Sequence, residues 1–245
     1  MTRLSATIVA QDEERDLPGC IESVQGFCDE VLVIDGGSRD RTREVAAALG
    51  ARVLERPFDD FARQHEFART EARGEWVLAI DADERASPEL RRASFGGAHA
   101  YSLPFRNHFR GVWLRHGGFW PDRHVRLFRR AACRYDPQRT VHERLIVEGP
   151  VGRLDAPMLH YTYASLQDCL LKMDRYGEQA ARMLHAQGVR AGAWEIAARP
   201  LWRFLRGYVL RLGFLDGAAG AAMAWGRAYE AFRRYARLWE LSRFS

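Results

Sequence analysis

Residues 80–90 read IDADERASPEL, which places Asp81, Asp83 and Glu84 within four positions directly after the apolar run WVLAI. Three carboxylates this close repel one another unless positive charge offsets them. A divalent cation is the obvious source of that charge. Mg²⁺ or Mn²⁺ takes one or two carboxylates and completes its shell with phosphate oxygens, so the pattern points to a diphosphate held through a metal. Other acids follow other apolar runs: Gln11, Asp12, Glu13 and Glu14 come after SATIVA, and Asp35 ends EVLVID. The competing account for Asp83 is N-capping and loop solvation. For Asp35 it is the chemistry of the Gly-rich turn DGGSRD.

The elements that must position these acids alternate. SATIVA, EVLVID, RVLE and WVLAID are short, nearly continuous apolar runs, as expected of strands buried on both faces of a parallel sheet. Helix-like segments lie between them: CIESVQGF, RDRTREVAAALG and DDFARQHEFARTEARG, the last two ending in a Gly cap. Strand and helix recurring at this interval are the βαβ signature. Ligands of such sheets bind beyond the carboxyl ends of the strands, where these acids gather. After Glu84, SPEL supplies a Ser N-cap followed by Pro.

Residues 94–160 have weak periodicity and are rich in Gly, His, Arg and aromatic residues, which predicts short strands and loops over the open end of the sheet. From about Leu166 the pattern is helical. One helix covers LQDCLLKMDRYGEQAARML, a second RPLWRFLRGYVLRL, and a third about Ala218 to Leu241. The third sets Trp225, Tyr229, Phe232, Tyr235 and Trp239 on one side and Arg227, Arg233, Arg234 and Arg237 on the other. Such a helix suits either an interfacial position on an anionic membrane surface or packing onto the rest of the protein. The fold expected is α/β, with a mostly parallel central sheet over residues 1–160 and a helical C-terminal extension over 161–245.

Charge follows this division. Residues 199–245 carry nine Arg and three acids, a net of +6, while the rest of the chain carries −1, so the overall +5 belongs to this tail. A basic tail favours phosphates on nucleic acid or lipid, but no nucleic-acid-reading motif occurs. No stretch is long enough to span a membrane. The N-terminal apolar run is too short for a signal peptide, so the expected location is cytoplasmic, peripheral on the inner face of the membrane. GxGxxG and GxxxxGK[ST] are both absent, which argues against a dinucleotide dehydrogenase and a P-loop NTPase. The four cysteines show no zinc-site or disulfide spacing.

The runs VIDGGSRDRT, WVLAIDADERASPEL, RLFRR, VHERL, LHYTY and RFLRGYVLRLGFLDGAAG together resemble a family 2 inverting glycosyltransferase of GT-A fold. More narrowly, they are similar to the lipopolysaccharide core β-glucosyltransferases that act on inner-core heptose. The resemblance implies a UDP-sugar donor, most simply UDP-glucose, a divalent cation and a glycolipid acceptor. Carried over by position, Asp35 faces the uracil, Asp81 the ribose or uridine, and Asp83 the cation, with Glu13 in the donor pocket. The chain has DEE where the family commonly reads NEE, with Asp12 in the Asn place. It has Gln64, His65 and Glu66 where the family reads QKN.

Inverting transfer needs stabilisation of the leaving diphosphate and removal of a proton from the acceptor hydroxyl. Arg126 of RLFRR and His160 of LHY are the expected helpers on the phosphates. Glu143 of VHERL is the expected base, with Asp122 of WPDRH as rival and His142 as a third candidate. Transfer to another glycan, such as an exopolysaccharide or O-antigen, is the alternative activity. A nucleotidyltransferase or a non-catalytic membrane-surface protein would be a different class. The first would place a Gly-rich phosphate loop after the first strand, and VAQDEERDLPG is not one.

Overall fold

The computed structural model describes residues 3–136, 145–163 and 165–244. Its contacts divide the chain into two units, 1–105 with 123–160 and 106–122 with 161–245. Residues 106–122 therefore group with the C-terminal helices, which the expected division at residue 160 does not provide for.

The first unit opens with alternating strands and helices: β1 (Leu4–Ala10), α1 (Leu17–Val24), β2 (Glu30–Asp35), α2 (Thr42–Ala48), β3 (Arg52–Glu55), α3 (Phe61–Glu71) and β4 (Trp76–Ala79). β1 and β4 are apolar and buried almost throughout, as are the last four residues of β2, because helices cover the sheet. Next come β5 (Glu84–Ala86), α4 (Pro88–Arg91), β6 (Ala100–Phe109), β7 (Val112–Trp113), β8 (Asp122–Arg129), β9 (Cys133–Tyr135), β10 (Leu145–Val147), β11 (Val151–Arg153) and β12 (Met158–Tyr163). The sheet order is β3-β2-β1-β4-β8-β6-β12-β5. β3, β2, β1 and β4 are parallel, and β8 joins β4 antiparallel.

The chain runs outward from β1 to β2 and β3, then returns to place β4 on the other side of β1. The strand order thus reverses at β1, and the crevice that binds ligands in open α/β sheets lies at the carboxyl ends there. Ala10 of β1 pairs with Asp35 of β2, and Thr7 pairs with Ala79 of β4, so both acid-tipped strands end beside β1. Sequence periodicity did not show β5, the ten-residue β6, β11 or β12. β12 runs antiparallel to β5, with His160 opposite Glu84.

The second unit holds α5 (Leu166–Ala186), α6 (Ala193–Leu205) and α7 (Gly217–Phe244). The helix expected over 199–212 is broken. α6 ends at Leu205, a π turn covers Arg206–Leu210, and Leu212 reverses the chain at φ 56° before a 3₁₀ turn, Gly213–Asp216. Asp216 ties that turn to the 106–122 segment by accepting from the backbone N–H of His116 at 2.8 Å and pairing with its ring Nδ1 at 2.7 Å. Gly220 must lack a side chain, since a Cβ there would lie 1.9 Å from the Gly213 carbonyl oxygen. Gly213, which opens the GFLDG run, is restricted likewise, since a Cβ there would lie 2.7 Å from the Gly207 carbonyl oxygen.

α5 and α7 enclose Cys169, Met173 and Met223. Their polar faces are joined by charge. Asp174 accepts from Arg233 and, at 3.0 Å, from the Tyr229 hydroxyl. Glu178 accepts from Arg182 at 2.8 Å and from Arg237 at 3.1 Å, and Arg234 pairs with Glu230. Most of the arginine stripe of α7 is thus committed within the protein. The hydrogen bond from Arg233 leads in lowering the Asp174 pKa. For Glu178, burial opposes ionisation, but the bonds from Arg182 and Arg237 outweigh it and lower its pKa too. Both carboxylates therefore add stability above the ordinary carboxylate pKa, and that stability is lost as pH falls through their depressed folded values. Asp174→Asn is expected to flatten the acid limb of a melting-temperature profile, by about 1 kcal/mol or less for so exposed a pair. Parallel profiles for the variant and the native protein would refute the assignment.

Candidate functional site

The acidic turn joins β4 to β5. Its backbone folds because Asp81 and Glu84 brace one another. The Asp81 N–H donates to the Glu84 carboxylate at 2.9 Å, and the Glu84 N–H donates to the Asp81 carbonyl at 2.9 Å. Arg85 holds the turn from outside, donating to the carbonyls of Ala82 and Asp16, each at 2.7 Å.

The positive charge that offsets two of the three acids comes from the protein. Arg126 Nη2 donates to Asp81 Oδ2 at 2.7 Å and to Glu84 Oε1 at 2.9 Å. Its guanidinium carbon lies 5.5 Å from the Phe105 ring centroid. Arg126 was expected on the phosphates, and the structure instead places it between carboxylates. Glu84 is buried, whereas the Asp81 side chain is 39% exposed. Burial pushes Glu84 up to about 8, and Asp81 close by reinforces the shift against the pull of Arg126. For Asp81, burial is outweighed by the charges of Arg126 and His65, which hold its carboxyl well below the usual range. The shared guanidinium thus favours ionisation of the more exposed partner.

Asp83 is the third acid. Its carboxylate lies 3.5 Å from His160 Nε2, and the two side chains are 23% and 24% exposed. Burial opposes a charged His160, but the hydrogen bond and charge of Asp83, with Glu84 and Asp81 behind it, raise its pKa. Whether these donors fit a divalent cation depends on their number and type. Among the described residues no group of three or more His, Cys, Asp or Glu is arranged to hold a metal alone. With Asp81 and Glu84 tied to Arg126, Asp83 is the carboxylate whose described contact is longest. That donor set does not fit an all-protein cage. It does fit an Mg²⁺ or Mn²⁺ that draws most of its ligands from phosphate and water.

The neighbouring loops interlock. Asp12, at φ 58°, accepts from the Arg39 N–H at 2.7 Å and donates its own N–H to Ser38 Oγ at 2.9 Å. The N–H of Glu13 donates to Thr42 Oγ1 at 2.8 Å. Asp35 was expected to face a base. Its side chain is fully buried, and its oxygens accept from the N–H groups of Gly37 and Ser38, each at 3.0 Å, and from the Ser38 hydroxyl. The turn account of Asp35 is thus what the structure shows. Gln64, near the start of α3, donates Nε2 to the Arg56 carbonyl at 2.8 Å, while its buried Oε1 has no partner among the described residues. His65 stacks on Tyr135 with centroids 5.2 Å apart.

Asp122 begins β8 and belongs to the second unit, where the Asn107 side-chain amide reaches it at 3.5 Å. Glu143 and His142 lie outside the described residues. Glu84, Ser38, Thr42 and Gln64 were not expected as site residues. Glu84 carried a signal as the third acid of the turn, and Gln64 as the first residue of the QKN-like run. Ser38 and Thr42 depend on loop-to-loop contacts that no local pattern reveals.

Residues 5–114 match the family model for glycosyl transferase family 2. Over nearly their full lengths, the chain is similar to two bacterial proteins. It is 29% identical to an uncharacterized glycosyltransferase of Rickettsia typhi, with 99% of this chain and 88% of the relative covered. It is also 29% identical to the lipopolysaccharide core biosynthesis glycosyltransferase LpsC of Rhizobium meliloti, covering 95% and 93%. Among solved structures, glucosyl-3-phosphoglycerate synthase from Mycobacterium tuberculosis, in complex with Mn²⁺, UDP-glucose and phosphoglyceric acid, matches with a TM-score of 0.36. That alignment has 23% identity and covers 43% of this chain and 44% of the synthase.

Removing Arg126 leaves Asp81 and Glu84 facing each other without their shared cation. Arg126→Ala is expected to cost about 3 kcal/mol in a urea titration, and the added change Glu84→Gln to recover part of that loss. A single variant as stable as the native protein would contradict the shared-guanidinium account.

Proposed function

We propose that this protein is an inverting glycosyltransferase that moves a hexose, glucose from UDP-glucose, onto a glycolipid acceptor of the lipopolysaccharide inner-core type. One observation carries the proposal. At the reversal of strand order, an internal guanidinium is shared by Asp81 and Glu84, while Asp83 remains partly exposed beside His160. The family 2 domain and the similarity to LpsC support the reaction class and the acceptor class.

In this reading Asp83 holds the cation together with the donor diphosphate. That cation supplies Lewis-acid stabilisation of the departing phosphate charge. His160, with its raised pKa, donates to the same phosphate oxygens. Asp81, kept ionised, accepts from the nucleoside hydroxyls, and Gln64 Oε1 accepts from an N–H of the base. The Asp35 turn and the Asp12–Ser38 clamp shape the pocket wall. Glu143 takes the proton from the acceptor hydroxyl as it attacks the anomeric carbon opposite the leaving group. Acceptor and enzyme meet at an anionic membrane surface. Among the described residues no helix is long and apolar enough to cross a membrane, so attachment in this reading is peripheral.

Calorimetric titration of UDP with and without Mn²⁺ tests the donor site. Native protein is expected to bind UDP in a Mn²⁺-dependent manner, and Asp83→Ala to lose at least roughly tenfold in affinity, a change of about 1.4 kcal/mol. Absence of UDP binding by the native protein would overturn the donor assignment. Glu143→Ala should retain UDP affinity while losing transfer by roughly 100-fold or more. Near-native turnover in that variant would remove Glu143 as the base.

A further inference from the structure

Hydrophobic residues of a helix normally face a core, yet no residue of α6 or of the π turn after it is buried. Trp194, Leu201, Trp202, Leu210 and Leu215 are between 54% and 77% exposed. Trp225 of α7 extends the same surface, its ring 4.5 Å from Phe204 of α6 and itself 65% exposed. A continuous apolar face of this kind marks an interaction surface.

Its charge identifies the occupant. Residues 199–215 contain Arg199, Arg203, Arg206 and Arg211 and no acid. Among the described residues, these four form none of the ion pairs that occupy Arg233, Arg234 and Arg237 on α7. Positive charge accumulates at this corner. Burial, with the charges of Arg203 and Arg211, brings Arg227 down to about 10. A second copy of the chain would set four arginines against four arginines, and nucleic acid, held mainly through its phosphates, would leave Leu201, Leu210 and Leu215 in water. An anionic bilayer meets both needs. Leucines enter the acyl boundary, tryptophans sit at headgroup level, and guanidinium groups reach phosphate oxygens.

We propose that α6 and the turns that follow it, rather than the arginine stripe of α7, form the surface that enters an anionic lipid bilayer. This rests on the glycolipid-acceptor reading above and adds where the enzyme contacts the membrane. The π turn and the reversal at Leu212 bring Leu210 and Leu215 into that surface, which a continuous helix over 199–212 would not do.

Co-sedimentation with mixed phosphatidylcholine–phosphatidylglycerol vesicles, and with phosphatidylcholine alone, tests it. Native protein should bind the mixed vesicles and be released by salt. Leu201→Ser/Trp202→Ser/Leu210→Ser, all at exposed positions, should weaken partitioning at least roughly tenfold with an unchanged melting temperature. Arg203→Gln/Arg206→Gln should weaken binding to mixed vesicles roughly tenfold or more and leave phosphatidylcholine binding as it was. Phe232→Ser on α7 should have no effect. The proposal is overturned if the triple serine variant binds like native protein or if Phe232→Ser matches its loss. It is also overturned if light scattering shows a dimer that the triple variant dissolves while native protein ignores vesicles. UDP titration of the same variants separates the two claims. Vesicle binding lost with UDP binding intact concerns this surface, whereas UDP binding absent from native protein strikes the donor site.

Discussion

Burying charge costs free energy, and a turn with three carboxylates has to meet that cost from somewhere. Here Arg126, carried on an antiparallel strand beside β4, lends one nitrogen to both Asp81 and Glu84. The geometry of β4, β5, β8 and β12 follows from that shared contact. β8 must lie against β4 to deliver the guanidinium, and β12 must pair with β5 to set His160 opposite Glu84. Removing β8 would leave the buried Glu84 carboxylate without its ion pair, a larger loss than any single apolar contact in the sheet provides.

The same arrangement sets the division of labour among the acids. Burial raises the Glu84 pKa, the charges of Arg126 and His65 lower that of Asp81, and Asp83 pairs with His160. Crowding suggested a cation among these acids, with Asp83 as its carboxylate. In the folded chain two of the three acids share Arg126, and Asp83 pairs with His160 at 3.5 Å.

The parallel half of the sheet was legible in the sequence because buried parallel strands read as nearly continuous apolar runs, as β1, β2 and β4 do, while β3 at the edge keeps only Val53 and Leu54. β6 and β12 were not, since histidines, arginines and tyrosines interrupt their apolar pattern. Asp35 shows the limit for site residues. Its position at a strand end suggested ligand contact, whereas in the folded chain it accepts three hydrogen bonds from within its own turn. Arg126 shows a second limit. RLFRR announces a basic strand end, but not that its charge is directed at carboxylates forty residues earlier. In the second unit, helical periodicity located α5 and α7. It missed the break after Leu205, because a π turn keeps a helical spacing of apolar residues while rotating the face they form.

The account stands or falls on what Asp83 does once a donor is present. Crystals soaked with Mn²⁺ and UDP, measured at the manganese absorption edge, would locate the metal by its anomalous signal. A peak within coordination distance of the Asp83 carboxylate, absent without UDP, is the predicted result, with Arg126 still bridging Asp81 and Glu84. A peak on Asp81 and Glu84 with Arg126 displaced, or UDP bound with no metal at Asp83, would contradict it.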